Sequence, residues 1–271
     1  MKVLISLLVV LSFAVSVYSA PCETVKSLSL SNTTITLAQP VAPGAFTPPQ
    51  GTRGADAFKG LPSFCRVAAT LTPTQDSEIK MEVWLPESGW NGRLESVGNG
   101  AWAGTISYAA MATALAAGYA SASTDTGHTG NNANFITGHP EKVVDFGYRA
   151  VHEMTVAAKA IIIGAYYGSG PKYSYWNGCS TGGRQALTEA QRYPSDYDGI
   201  LAGAPAIYAS RLQGMQVWAA QTVHKDVASY IPPSKYPAIH AAVLRGCDAM
   251  DGVKDGVLED PTKCKFDPKV L

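Results

Sequence analysis

Gly178-Cys179-Ser180-Thr181-Gly182 stands between an apolar run, 173–176, and a run of helical spacing, 181–193. A strand that turns directly into a helix through so short a link needs a very tight turn. Side chains at the flanks of that turn would clash, and glycine is the residue that avoids the clash. The turn lifts the hydroxyl of Ser180 above the sheet edge, and the helix amino end places favourable field beside it. Ser180 is therefore the candidate nucleophile. The bland alternative is a glycine turn in which a serine caps the helix.

The surrounding pattern fixes the fold class. Runs at 64–71 and 79–85 alternate as strands, separated by Thr72-Pro73-Thr74. Residues 94–97 are a third short strand, 108–117 a helix of small residues, and 119–124 a strand. Residues 145–167 have helical spacing, with Val151, Met154, Ala158, Ile161 and Ile162 on one face. Residues 200–204 form another strand, stopped by Pro205. From about residue 90 strands and helices alternate, so an α/β fold with a mostly parallel sheet is expected. Such sheets carry their sites at the carboxyl ends of strands. Gly98-Asn99-Gly100-Ala101 follows one such end. Its backbone, at Gly100 and Ala101, is placed to join the Thr181 N–H as oxyanion donors.

The rest of the chain divides by composition. Lys2 followed by the apolar stretch 3–15 and small residues near Ser19 and Ala20 reads as an export signal, 1–19. Residues 20–60, rich in Pro, Thr, Ser and Gly, are expected to drape over a surface, tied down at Cys22. The core is 61–205. A second, smaller domain starts at 206, where the alternation ends. Formal charge is zero and no basic run stands out, so neither nucleic acid nor, after signal cleavage, a membrane is an expected partner. Export makes Asn32 of Asn32-Thr33-Thr34 a candidate glycosylation site. The five cysteines leave one over in an oxidising compartment.

The serine needs a histidine base and an orienting carboxylate. In folds of this class both follow the serine, but His224 and His240 lie outside any strand-end context. His128, His139 and His152 precede Ser180. His128 stands at a strand end and His152 within a helix.

Three segments carry a resemblance: 175–184 (Tyr-Trp-Asn-Gly-Cys-Ser-Thr-Gly-Gly-Arg), 199–206 (Gly-Ile-Leu-Ala-Gly-Ala-Pro-Ala) and 123–128 (Ser-Thr-Asp-Thr-Gly-His). From about residue 60 onward the chain resembles the tannase and feruloyl esterase family. The resemblance implies an α/β-hydrolase-type fold in which 206–271 begins an inserted lid domain. It implies secreted carboxylic ester hydrolysis of plant phenolic esters, feruloyl or galloyl, including cell-wall esters, through an acyl-Ser180 intermediate. It also implies a disulfide between Cys179 and a cysteine directly after the catalytic histidine. No His-Cys pair occurs in these 271 residues, so the triad Asp and His are expected to lie outside them, and the sheet is expected to expose an apolar edge. A different class remains open: a secreted binding protein that keeps the esterase core without turnover.

A further part of the resemblance covers 247–257. Asp248, Asp251 and Asp255 supply carboxylates, and the carbonyls of Val253 and Val257 complete an oxygen-only set suited to structural calcium. The spacing is not that of an EF-hand. Cys247 and Cys264 bracket this loop and are expected to pair, which leaves Cys22 and Cys65 to each other.

Overall fold

The computed structural model describes residues 21–271 except Arg53. The expected export signal, 1–19, lies outside the described residues. The chain divides into a first unit that ends at Ile207 and a second, Tyr208–Leu271.

The first unit is built on nine strands: β1 (Thr33–Val41), β2 (Phe64–Leu71), β3 (Ile79–Pro86), β4 (Arg93–Val97), β5 (Ala103–Gly104), β6 (Ala120–Thr124), β7 (Gly130–Asn131), β8 (Tyr173–Cys179) and β9 (Gly199–Gly203). Seven of them form one sheet in the order β1-β2-β3-β6-β4-β8-β9, while β5 and β7 pair separately. From β6 through β4 and β8 to β9 every pairing is parallel. The pairings among β1, β2, β3 and β6 are antiparallel. The helices are α1 (Tyr108–Ala116), α2 (Pro140–Val144), α3 (Ala150–Ile161) and α4 (Thr181–Arg192). Two π-helical turns, Asp145–Arg149 and Ile162–Tyr166, adjoin α3.

Alternation along β3 explains the layering. Met81, Val83 and Leu85 join a core that also holds Val151, Met154, Ala158, Ile161 and Ile162, the predicted helix face. Trp84, one residue out of phase, joins a second core with Phe46, Phe64 and Met111. A residue step of one reverses the face, so a single strand serves both layers. Glu82 shares the face of Trp84. It accepts from Arg66, from the Trp84 indole at 2.8 Å and from the Tyr108 hydroxyl at 2.9 Å. The bond to Glu82 raises the Arg66 pKa, and burial is the main reason Tyr108 is raised as well.

One expectation fails in the amino-terminal arm. Residues 33–41 do not drape over a surface but form β1, antiparallel to β2 with a register shift between Ile35 and Leu37. Thr33-Thr34-Ile35-Thr36 is β-branched, which favours strand. Pro40 is accommodated because β1 is an edge strand and need donate on one side only. The strand at 173–176 runs three residues further, to Cys179, and pairs with β9 along that extension.

Cys22 and Cys65 are joined in a disulfide, as are Cys247 and Cys264; Cys179 is free and exposed. Asn32 sits exposed, with φ 51°, in the turn before β1.

The second unit contains α5 (Ala209–Val223), α6 (Tyr236–Cys247) and short 3₁₀ turns. Helix α5 buries no residue, and α6 buries Ala242 and Cys247. No described helix is long and apolar enough to cross a membrane.

Candidate active site

Ser180 occupies the junction of β8 and α4 with φ 61° and ψ −115°, a conformation that L side chains rarely adopt. Three backbone hydrogen bonds hold it there. Its N–H donates to Gly203 O at 3.0 Å, and its carbonyl accepts from Arg184 and Ala206, each at 3.0 Å. Ser180 stands at the N-cap position of α4, but its side chain makes no capping hydrogen bond. Among the described residues the Ser180 hydroxyl and the Thr181 N–H have no hydrogen-bond partner.

The turn is as tight as the glycines suggest. A Cβ on Gly178 would lie 2.5 Å from the Gly182 carbonyl oxygen. The Gly98 loop touches the same helix, since a Cβ on Gly98 would lie 2.6 Å from Gly182 Cα. The contact is tied by the Gly182 N–H donating to Asn99 O at 2.8 Å and by the Thr181 hydroxyl donating to Ala101 O at 2.8 Å. Gln185, one turn into α4, accepts from the Asn99 N–H at 3.1 Å and donates to Asn99 Oδ1 at 3.0 Å. Asn99 in turn donates to the carbonyls of Thr105 and Thr124, each at 2.8 Å. Loop, helix and the end of β6 are therefore one fixed piece. Ala101 holds φ 49°, and among the described residues the N–H groups of Gly100 and Ala101 make no hydrogen bond. A cleft of about 420 Å³ meets this loop at Gly98, Asn99 and Gly100 and the elbow at Gly178 and Cys179.

Sequence reasoning placed Ser180, Thr181, Gly100 and Ala101, and the structure brings them together. It gave no role to Asn99 or Gln185, whose reciprocal bonds span 86 residues and have no local signature. Trp176, read only as part of the strand and of the 175–184 motif, also received no role of its own; its indole donates to Gly182 O at 3.0 Å beneath the turn.

None of the histidines hydrogen-bonds Ser180 among the described residues. His128 is buried, with Nε2 2.7 Å from Trp102 O and its ring stacked on Phe135. His139 pairs with Asp76 and His152 with Asp196. His224 stacks on Tyr230 in the second unit. Asp125, at the end of β6, accepts from the N–H groups of Lys80 and Gly127. Burial nevertheless outweighs those bonds and raises its pKa to about 6.

In the second unit Asp248 is buried and accepts from Gly256 N at 2.8 Å, Asp251 from Val253 N at 2.8 Å and Asp255 from Val257 N at 3.0 Å. Each of these bonds uses Oδ1. The donors are hard oxygens, which suits calcium chemically. The three carboxylates are not gathered, however. Among the described residues, the one trio of His, Cys, Asp or Glu whose ligand atoms lie within 4.8 Å of one another is elsewhere: His152, Glu189 and Asp196.

Residues 65–271 match the model of the family described as Tannase and feruloyl esterase. An uncharacterized esterase of Xanthomonas campestris is 44% identical over 255 residues, 93% of this chain and 43% of that protein. A Probable feruloyl esterase B-1 of Aspergillus fumigatus is 41% identical over 206 residues, 74% of this chain and 38% of that protein. Among solved structures, feruloyl esterase B from Aspergillus oryzae superposes with a TM-score of 0.80 at 34% identity, over 92% of this chain and 50% of that one. Tannin acyl hydrolase from Aspergillus niger gives 0.72 at 25% identity, over 93% and 50%. The chain thus spans half or less of the length of each of these proteins.

Proposed function

Since the chain belongs to the tannase and feruloyl esterase family and has its α/β-hydrolase-type fold, we propose that it supplies the nucleophile and oxyanion donors of a secreted serine carboxylic ester hydrolase. The observation that carries this reading is Ser180 held at φ 61° with the unengaged Thr181 N–H beside it. In the reaction the Ser180 oxygen attacks the ester carbonyl and its proton passes to a base. The tetrahedral oxyanion is held by the N–H groups of Thr181 and of the Gly100–Ala101 backbone. Collapse expels the alcohol, and water then releases the acid from the acyl-serine. Among the described residues of the first unit no histidine is hydrogen-bonded to Ser180, and the base is left to the test below. Feruloyl or galloyl esters of plants are the proposed substrates, by kinship with the proteins named above.

In the same reading Asp248, Asp251 and Asp255, with the carbonyls of Val253 and Val257, hold a structural calcium ion. The support is that each Oδ2 stays clear of the loop's own backbone bonds. Binding would require the three carboxylates, whose oxygens are not grouped within 4.8 Å of one another, to close around the ion.

The test is hydrolysis of methyl ferulate and methyl gallate by the purified, secreted gene product. Ser180→Ala is expected to abolish turnover, and His224→Ala and His240→Ala to leave it unchanged. An unaltered rate in Ser180→Ala would overturn the assignment.

A further inference from the structure

Toward the far end of α4, about 12 Å along the helix from Thr181 at 1.5 Å per residue, lies a cluster that the proposed chemistry does not use. His152 of α3, Glu189 of α4 and Asp196 of the turn before β9 each bring a ligand atom within 4.8 Å of the others. Glu189 is 0% exposed, and among the described residues neither of its carboxylate oxygens has a hydrogen-bond partner. Asp196 is buried, with Oδ2 2.7 Å from His152 Nδ1. The His152 ring is stacked on Tyr193 with centroids 3.8 Å apart, which fixes its plane.

A carboxyl withdrawn from water either keeps its proton or needs a compensating partner, whether a donor, an opposite charge or a metal. The nearby cation does not serve. Lys159 Nζ donates to the backbone carbonyl of Asp196 and not to a carboxylate of the cluster. By contrast, Asp145, which also has a buried oxygen without a partner, is compensated by Arg149 at 2.6 Å on its other oxygen. Glu189 has no such counterpart.

We propose that His152, Glu189 and Asp196 bind one divalent metal ion of the zinc class. One imidazole nitrogen with two carboxylate oxygens suits zinc-like ions, whereas magnesium and calcium favour oxygen alone. Three protein ligands leave a coordination position for water, and the His152 side chain is 29% exposed, so the site has a solvent side. Binding uses the Nδ1 lone pair, so the imidazole must be neutral with its proton on Nε2, and any proton on Nδ1 or the carboxylates leaves to solvent. The ion would staple α3, α4 and the turn before β9 together near the end of α4 away from Ser180. The site does not depend on the esterase reading.

The test uses the full chain with Cys179→Ser throughout, to remove the exposed thiol as a ligand. Bound metal is stripped by a chelator. Calcium at millimolar excess then saturates any hard-oxygen loop, and Zn²⁺ binding is followed by equilibrium dialysis with elemental analysis. The expected result is one zinc per chain, weakened at least ~100-fold in His152→Gln and in Glu189→Gln, by analogy with the 10–100-fold cost of losing even outer-shell partners. Zinc should also raise the melting midpoint of the parent and leave that of His152→Gln in place. His152 is partly exposed, so this variant keeps the test valid if Glu189→Gln fails to fold. Equal zinc binding by parent and His152→Gln, or no binding by the parent at micromolar zinc, would overturn the proposal. The cluster would then be a proton shared between Glu189 and Asp196.

Discussion

In the unit that ends at Ile207, Trp84 and Trp176 are no more than 1% exposed, whereas in Tyr208–Leu271 Trp218 is 66% exposed and Val227 93%. The first unit closes two apolar layers over a sheet whose pairings join residues far apart in sequence. The second consists of helices and short turns, most of whose hydrogen bonds are local, around the Cys247–Cys264 bridge. Among the described residues burial holds the first unit together, while local hydrogen bonds and a covalent link are what the second shows, and the two should answer differently to the same perturbation.

The largest contrast is expected at the tryptophans. Trp176→Ala removes a buried ring and the donor to Gly182 O, and should cost about 3–5 kcal/mol in chemical denaturation. A loss under ~1 kcal/mol would mean that burial is not what holds this unit. Next comes reduction of the second bridge. Cys247→Ser with Cys264→Ser removes roughly 3 kcal/mol of loop-closure stabilisation. Hydrogen exchange should accelerate across 236–264 and stay unchanged in β3, β4 and β6. Acceleration in those strands would dissolve the distinction.

A pH effect of about 2–3 kcal/mol is expected in the first unit, from the Asp125 pKa of about 6 against its ordinary 3.8. The folded state favours the protonated acid, so this stabilisation is fully present below about pH 4 and is lost as pH rises through 6. Denaturation midpoints between pH 4 and 7 should show that decline in the parent and a shallower one in Asp125→Asn, because buried Glu189, its pKa pushed up to about 8, contributes a decline of the same sign.

Smaller still is the strain at the elbow. Ser180→Gly should stabilise by about 1 kcal/mol, since glycine accepts the positive φ without penalty. A destabilised variant would show that the hydroxyl itself supports the turn. Trp218→Ala should change stability by less than ~0.5 kcal/mol.

What was legible in the sequence was what local chemistry writes. Alternation marked β2 and β3, periodic apolar residues marked the buried face of α3, and the glycines at 178 and 182 marked a steric limit that the backbone then met. Strand β1 was obscured because Pro40 and the neighbouring prolines read as an arm, and only an edge position makes them compatible with a strand. The reciprocal Asn99–Gln185 bonds and the cluster of His152, Glu189 and Asp196 were not legible at all. They join side chains whose proximity exists only once α3, α4 and the loop after β4 have packed.

The meeting of the Gly98 loop with α4 at Gly182 has a consequence for how such a protein can diversify. At its closest point this seam is backbone against backbone, and the side chains of Trp176 and Gln185 stand within 3.1 Å of where a Cβ on Gly98 would sit, so no small step in size is free there. A mutational library at Gly98 or Gly178 should therefore return almost only the parent. Tolerated variety should collect instead in the aromatic ring cluster next door, where Trp102 stacks on Phe146 and Phe135 on His128. New preferences would be written beside a hinge-free seam that itself stays fixed.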